Sequence, residues 1–171
     1  MSELTKLKEE CLQREKNVEK LNNELCKKII LHDINILKET VPSAISSDGR
    51  NVFHDDGIKI NISDGMLEID DRRGSAFLWL FEIHHDNYLR LNDIFKLDKN
   101  VYSVKYIEES AVTENILNII RKVIVEFDNS ISILESDIQL NEWRHTYHNA
   151  HEDITCNSLQ EVFETVLNRK Y

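Results

Sequence analysis

Along the first forty or so residues the apolar positions keep a three–four rhythm. Leu4, Leu7, Cys11, Arg14, Val18, Leu21 and Leu25 recur at those steps, and charged residues fill most positions between them. Such a seam lays one stripe along an α-helix. The phase then shifts to Ile30, Ile34, Leu37 and Val41, thickened by Ile29 and Leu31. A wider apolar face is buried on more than one neighbour. Pro42 stops the helix, because the residue before a proline avoids the α region. The pattern predicts an N-terminal heptad helix over 1–41.

Over 51–108 the period drops to two. Ile58, Ile60 and Ile62 alternate with polar residues, Asp64-Gly65 follows, and Leu67 and Ile69 resume the alternation. Asp-Gly between alternating runs suits a type I′ hairpin turn, whose two central residues both take positive φ. Phe77, Trp79, Phe81 and Ile83 then share one face of a strand, with Ala76, Leu78 and Leu80 on the other. A strand apolar on both faces is expected to be central and covered on both sides. "YLRLNDIFKL" (88–97) and "VYSVKYI" (101–107) read as two further strands. The segment is therefore expected to be a five-stranded antiparallel β-meander joined by tight turns.

The three–four rhythm returns in Leu117, Ile120, Ile124, Phe127, Ile131, Leu134 and Ile138. It predicts a second long helix over 112–150. Asn157 and Gln160 suit a capping box for a last helix over 157–169, with Leu159, Val162, Phe163, Val166 and Leu167 on one face. The two long helices, each roughly 55–60 Å at 1.5 Å per residue, flank a compact insert. The expected fold is α+β: a long antiparallel, coiled-coil-like helical hairpin with the β-meander as a head at its closed end, and a short C-terminal helix. The competing arrangement pairs each helix with its copy in a homodimer.

Composition narrows the functional classes. Hydrophobic residues make up 41% and charged residues 30%, with four glycines and one proline, so the chain is ordered and built of long elements. Its net charge of −10 argues against a general nucleic-acid binder and against docking on anionic membranes. Cys11, Cys26 and Cys156 are dispersed and odd in number, which fits reduced thiols and a cytoplasmic location. The N-terminus lacks the apolar core of a signal peptide, and the longest apolar run, 76–81, is too short to span a bilayer.

Candidate chemistry gathers in "NEWRHTYHNAHED" (141–153). If the second long helix runs through it, the seam continues as Asn141, His145, His148 and Glu152. One reading is a solvated helix end, where histidines suit the macrodipole. A second is a metal site. His145, His148 and Glu152 fall on one helical face and are suitable zinc ligands, with Cys11 approaching from the partner helix. Their spacing departs from the His-x-x-x-His of helical zinc enzymes. The third rests on "RHTYHNAH" (144–151), which resembles the Arg-x4-6-His signature of HEPN-family ribonucleases. Arg144 and His151 are separated by six residues, and His145 is the polar neighbour. The resemblance implies a metal-independent ribonuclease in which Arg144 and His151, drawn from two subunits, polarise the phosphate and move protons. It covers 144–151 alone, and HEPN domains are all-helical, unlike the β segment here.

No Gly-rich phosphate loop, nucleophile elbow or Walker motif appears. The leading expectation is a non-enzymatic intracellular interaction protein, needing no cofactor, whose acidic surface suits a basic protein partner. Adaptor, regulatory subunit and inhibitor or immunity protein all fit. A HEPN-like ribonuclease of a defence or toxin system and a His/Glu metal-binding protein are the alternatives.

Overall fold

The first helix, α1, runs unbroken over Glu3–Thr40. Its seam is buried where the rhythm places it: Leu4, Leu7, Cys11, Val18 and Leu25 are all inside, and Leu21 is half-buried. From Leu25 onward the buried set widens to include Cys26, Ile29, Ile30, Ile34 and Leu37. The computed structural model describes residues 2–40, 45–47, 52–54, 58–71, 77–95 and 104–169. Val41 and Pro42, read as the end of the helix, lie outside the described residues. The chain divides into two compact units, one of Met1–Asn22 with Asn87–Leu140, the other of Asn23–Asp86 with Asn141–Tyr171.

The first unit is helical. Beside the first part of α1 it holds α2 (Tyr88–Phe95), two 3-10 turns (Val104–Tyr106 and Glu109–Ala111) and α3 (Glu114–Ile138). Thr113 caps α3, its hydroxyl accepting from the Ile116 amide at 3.2 Å. Leu117, Ile120, Ile124, Phe127 and Leu134 are buried along α3, and Ile131 is half-buried.

The two long helices pack side by side, as the paired seams predict. Their sense is set by the ion pairs between them. Glu3 meets Arg121 at 3.0 Å, and Arg14 meets Asp128 at 2.7 Å. The partners advance together along both helices, so α1 and α3 run in the same direction rather than antiparallel. The cause is α2. The segment 88–95, expected to be a strand, is a helix that buries Leu91 and leaves Leu89 exposed. Asn87 donates to Asp137 at 2.6 Å and Arg90 reaches Glu126 at 3.4 Å, so α2 runs against α3. One extra helical pass reverses the sense of the pairing. Lys8 donates to the Ile107 carbonyl and Ser2 to the Glu109 carboxylate, which ties the start of α1 to the turns that precede α3.

The second unit holds one seven-stranded antiparallel sheet whose strands lie side by side in sequence order. They are β1 (Ile45–Ser47), β2 (Val52–His54), β3 (Ile58–Ser63), β4 (Met66–Asp71), β5 (Phe77–His85), β6 (His145–Asn149) and β7 (Ile154–Cys156). Five of them precede α2, so the inserted five-stranded meander is present with different members. β1 and β2 replace the strands read at 88–97 and 101–107, of which 96–103 lies outside the described residues. Between β3 and β4 the turn is the one expected, with Asp64 at φ 49° and Gly65 at φ 74°. The positive φ of Gly65 and the nearness of Asn23, whose Cα would lie 3.1 Å from a Cβ there, both favour glycine.

The helix expected over 112–150 ends at Ile138. Beyond it the seam has no further apolar members, and 145–149 turns to strand periodicity, burying Tyr147 and Asn149 on alternate positions. One face of the sheet buries Ile58, Ile60, Leu67, Ile69, Trp79, Phe81 and Ile83. The other face is open: Leu78 is 54% exposed and Leu80 41%, so β5 is covered on one side only. The last helix, α4 (Leu159–Leu167), buries Leu159, Val162, Phe163 and Val166. Its capping box lies one residue beyond the expected pair. Ser158 accepts from the Glu161 amide at 3.2 Å, and Glu161 accepts from the Asn157 amide at 2.7 Å.

Cys11, Cys26 and Cys156 are buried, and none of them is in a disulfide. Burial pushes the Cys11 thiol up to about 11 and that of Cys26 to about 12, and it also raises Cys156. Among the described residues no helix is long and apolar enough to cross a membrane.

Phe127 is the largest side chain of the α3 seam and is 3% exposed. Its replacement by alanine is expected to cost about 3–5 kcal/mol, as for other buried aromatic truncations. Denaturant unfolding of the two proteins measures this directly, and a loss near zero would mean that the seam is not a core.

Candidate functional site

The stretch 141–153 enters the sheet as β6 and the turn that follows it, which redistributes every side chain picked out above. In a strand, residues three apart point to opposite faces. His145 therefore faces the covered side with Tyr147 and Asn149, and His148 faces the open side. Glu152 sits in the β6–β7 turn, where it pairs with Arg169 at 3.6 Å. The guanidinium of Arg169 lies over the Phe77 ring at 3.7 Å. Cys11 belongs to the helical unit. The trio His145, His148 and Glu152 is not brought together. Among the described residues no group of three His, Cys, Asp or Glu side chains is arranged to hold a metal ion.

Arg144 and His151 are parted as well. Arg144 is exposed just before β6, and His151 is exposed in the turn beyond it. The strand between them spans about 17 Å at 3.4 Å per residue. The helical frame of the ribonuclease signature is absent at these positions.

What β6 does assemble is a cluster around Asp33 of α1. The His145 Nε2 lies 2.6 Å from one Asp33 carboxylate oxygen, and the Tyr147 hydroxyl donates to the same oxygen at 2.5 Å. The His145 Nδ1 is 3.2 Å from the Trp143 carbonyl. Both ring nitrogens thus face acceptors, an arrangement that favours the doubly protonated imidazolium. The Asp33 and His145 side chains are 16% and 12% exposed, so the charges meet largely out of water. Burial alone would raise the Asp33 carboxyl, but the hydrogen bonds from His145 and Tyr147 and the imidazolium charge outweigh it and hold it below its ordinary value. Burial likewise works against the charged His145, and its bonds to Asp33 prevail, leaving it above its ordinary value. Burial, with Asp33 close by, pushes Tyr147 well above its usual range, so its hydroxyl remains a donor.

Aromatic packing closes one side of the cluster. His32 meets Trp143 edge-on with ring centroids 5.4 Å apart, and the Lys28 ammonium lies 5.7 Å from the Trp143 ring centre. On another side lies a cavity of about 230 Å³ lined by Asp33, Leu37, Thr40, His145, Ser158 and Leu159, among others. The chemistry of the cluster is that of a fastener. Both nitrogens of His145 are engaged by Asp33 and by the Trp143 carbonyl, which holds the ring in place between α1 and β6.

Asp33 carries a signal that is legible in the sequence. It is the one acid within the mostly apolar stretch 29–37 of α1, among Ile29, Ile30, Ile34 and Leu37. A carboxylate at such a position must find a partner. Comparison with protein-family models, with curated proteins and with solved structures returns no significant match.

The ion pair makes stability depend on pH, with a sign set by each partner. His145 titrates above its ordinary value of 6.5, so its contribution is complete below that value and is lost as pH rises through the elevated one. Asp33 titrates below its ordinary 3.8, so its contribution is present above that value and is lost as pH falls through the lowered one. Thermal melts across pH are expected to show a plateau between these limits and a decline on both flanks. Asp33→Asn should flatten the alkaline decline. Asp33→Ala should cost on the order of 3–5 kcal/mol, the usual loss when one member of a buried pair is removed. An alkaline decline unchanged in Asp33→Asn would mean that the pair does not govern it.

Proposed function

We propose that this protein is a non-enzymatic binding protein that holds a basic protein partner on the open face of its sheet. The observation that carries the reading is the exposure of Leu78 and Leu80, neighbours on that face of β5. The register sets Leu78 across from Asp70 and Leu80 across from Glu68. Two large apolar side chains bordered by carboxylates suit an apolar anchor flanked by lysine or arginine. Anchors of this kind supply most of the binding energy at interfaces, and the surrounding charge speeds encounter and selects the partner. The net charge of −10 adds a long-range field of the matching sign. The same chemistry serves an adaptor, a regulatory subunit or an inhibitor, and the identity of the partner decides among them.

The test uses the full chain and the double substitution Leu78→Asp with Leu80→Asp, with an unchanged circular-dichroism spectrum as the control for folding. A partner recovered with the wild-type chain is purified and titrated against both proteins at low and high salt. Binding is expected to weaken at least about tenfold in the variant, a difference of 1.4 kcal/mol, and to weaken with salt in the wild type. Equal binding by both proteins would remove the interaction from this face. Cleavage of RNA by the purified chain, lost in Arg144→Ala and in His151→Ala, would replace the reading with a nuclease.

A further inference from the structure

We propose that Glu82, His84 and His148 form a binding site for a zinc-type transition-metal ion on the open face of the sheet. β5 and β6 are antiparallel neighbours, with Glu82 across from His148 and His84 across from Thr146. Side chains on a strand alternate, so Glu82 and His84 share a face, and the register sets His148 on that same face. His84 and His148 are diagonal neighbours whose ring centres lie 5.0 Å apart with planes tilted by 34°.

Two of the three groups already stand at ligand spacing. The Glu82 Oε2 is 3.2 Å from the His84 Nε2. Two ligands on one tetrahedral ion, with bonds of about 2.0–2.1 Å, stand about 3.3 Å apart. The third group has the support a ligand needs. The His148 Nδ1 is 3.1 Å from the Thr155 hydroxyl on β7. Donation through Nδ1 leaves the lone pair on Nε2. Metal-binding histidines are oriented in this way, by a second partner on the far nitrogen.

One motion remains. No three groups among the described residues already converge on an ion, so the His148 ring must turn its Nε2 toward the His84–Glu82 pair. Rotamer changes of this kind in exposed side chains are fast, and the ladder beneath holds the three Cα positions in register. The Glu82 and His84 side chains are 39% and 30% exposed, so an ion reaches them from solvent. Two imidazoles and one carboxylate select Zn²⁺, Cu²⁺ or Ni²⁺ over Mg²⁺ or Ca²⁺ and leave at least one position for water. The site shares only His148 with the helical trio read from the sequence, and it does not depend on the partner-binding role of Leu78 and Leu80.

Metal-stripped full-length protein is titrated with Zn²⁺ by calorimetry and with Co²⁺ by visible absorption. The expected result is one ion per chain, Co²⁺ bands of four-coordinate intensity, and a melting temperature that rises with Zn²⁺, as for any ligand bound only by the folded state. His84→Asn and His148→Asn should each weaken binding at least about tenfold, the scale on which even outer partners of metal ligands act. His151→Asn, in the neighbouring turn, should leave binding unchanged. Protection of His84 and His148 from acylation by Zn²⁺ in the unsubstituted chain reads the same contacts without relying on a variant to fold. The proposal is overturned by the absence of saturable binding, by full binding in either His84→Asn or His148→Asn, or by an equal loss in His151→Asn.

Discussion

The pairing of β5 with β6 is the contact on which the rest of the second unit depends. The other strand pairs join segments that follow one another closely, as hairpins do. β5 and β6 are joined only after the chain has passed through α2, both 3-10 turns and α3. Closing so long a loop costs entropy that grows slowly with length but must be met before any pairing is gained. What offsets it is dense and local. Ile83 and Tyr147 are paired across the ladder and both are buried. His145 and Tyr147 also lock onto Asp33, so the returning strand is fastened to α1 as well as to its neighbour in the sheet.

The same ladder separates two chemistries. On the covered face a carboxylate, an imidazolium and a phenol satisfy one another with little water, and the arrangement serves cohesion. On the open face Glu82, His84 and His148 stand in the same strands with solvent access. An antiparallel sheet allows this division because only one of its faces needs to be covered. Histidines three residues apart thus acquire unrelated roles: His145 is spent on structure, and His148 faces outward.

The two seams and the Asp-Gly turn could be read from the residues because each rests on one short-range rule. α1, α3 and the β3–β4 hairpin stand where periodicity and positive φ put them. The segment 88–95 was ambiguous: Leu89 and Leu91 alternate as in a strand, and only burial shows that Leu91 faces inward and Leu89 does not. At 141–153 the error was to extend a seam after its apolar members had ended. Thr146 and Tyr147 are residues that favour strands, and a polar continuation has no burial energy to hold a helix. The change from helix to strand decides the candidate site, since residues i and i+3 share a face in a helix and oppose each other in a strand. The partners of Asp33 were hidden for a different reason: they lie more than a hundred positions away in the chain.

The three buried thiols give the molecule an internal clock. Cysteine reacts as its thiolate, and at neutral pH the raised values at Cys11 and Cys26 leave almost none. A thiol reagent therefore modifies these positions only when the surrounding packing opens. Cys11 belongs to the helical unit, and Cys26 and Cys156 belong to the sheet unit. Rates of modification, resolved cysteine by cysteine, separate the opening of one unit from that of the other. Equal rates at Cys11 and Cys26 would describe a single cooperative body, and unequal rates two bodies that breathe independently along one continuous helix.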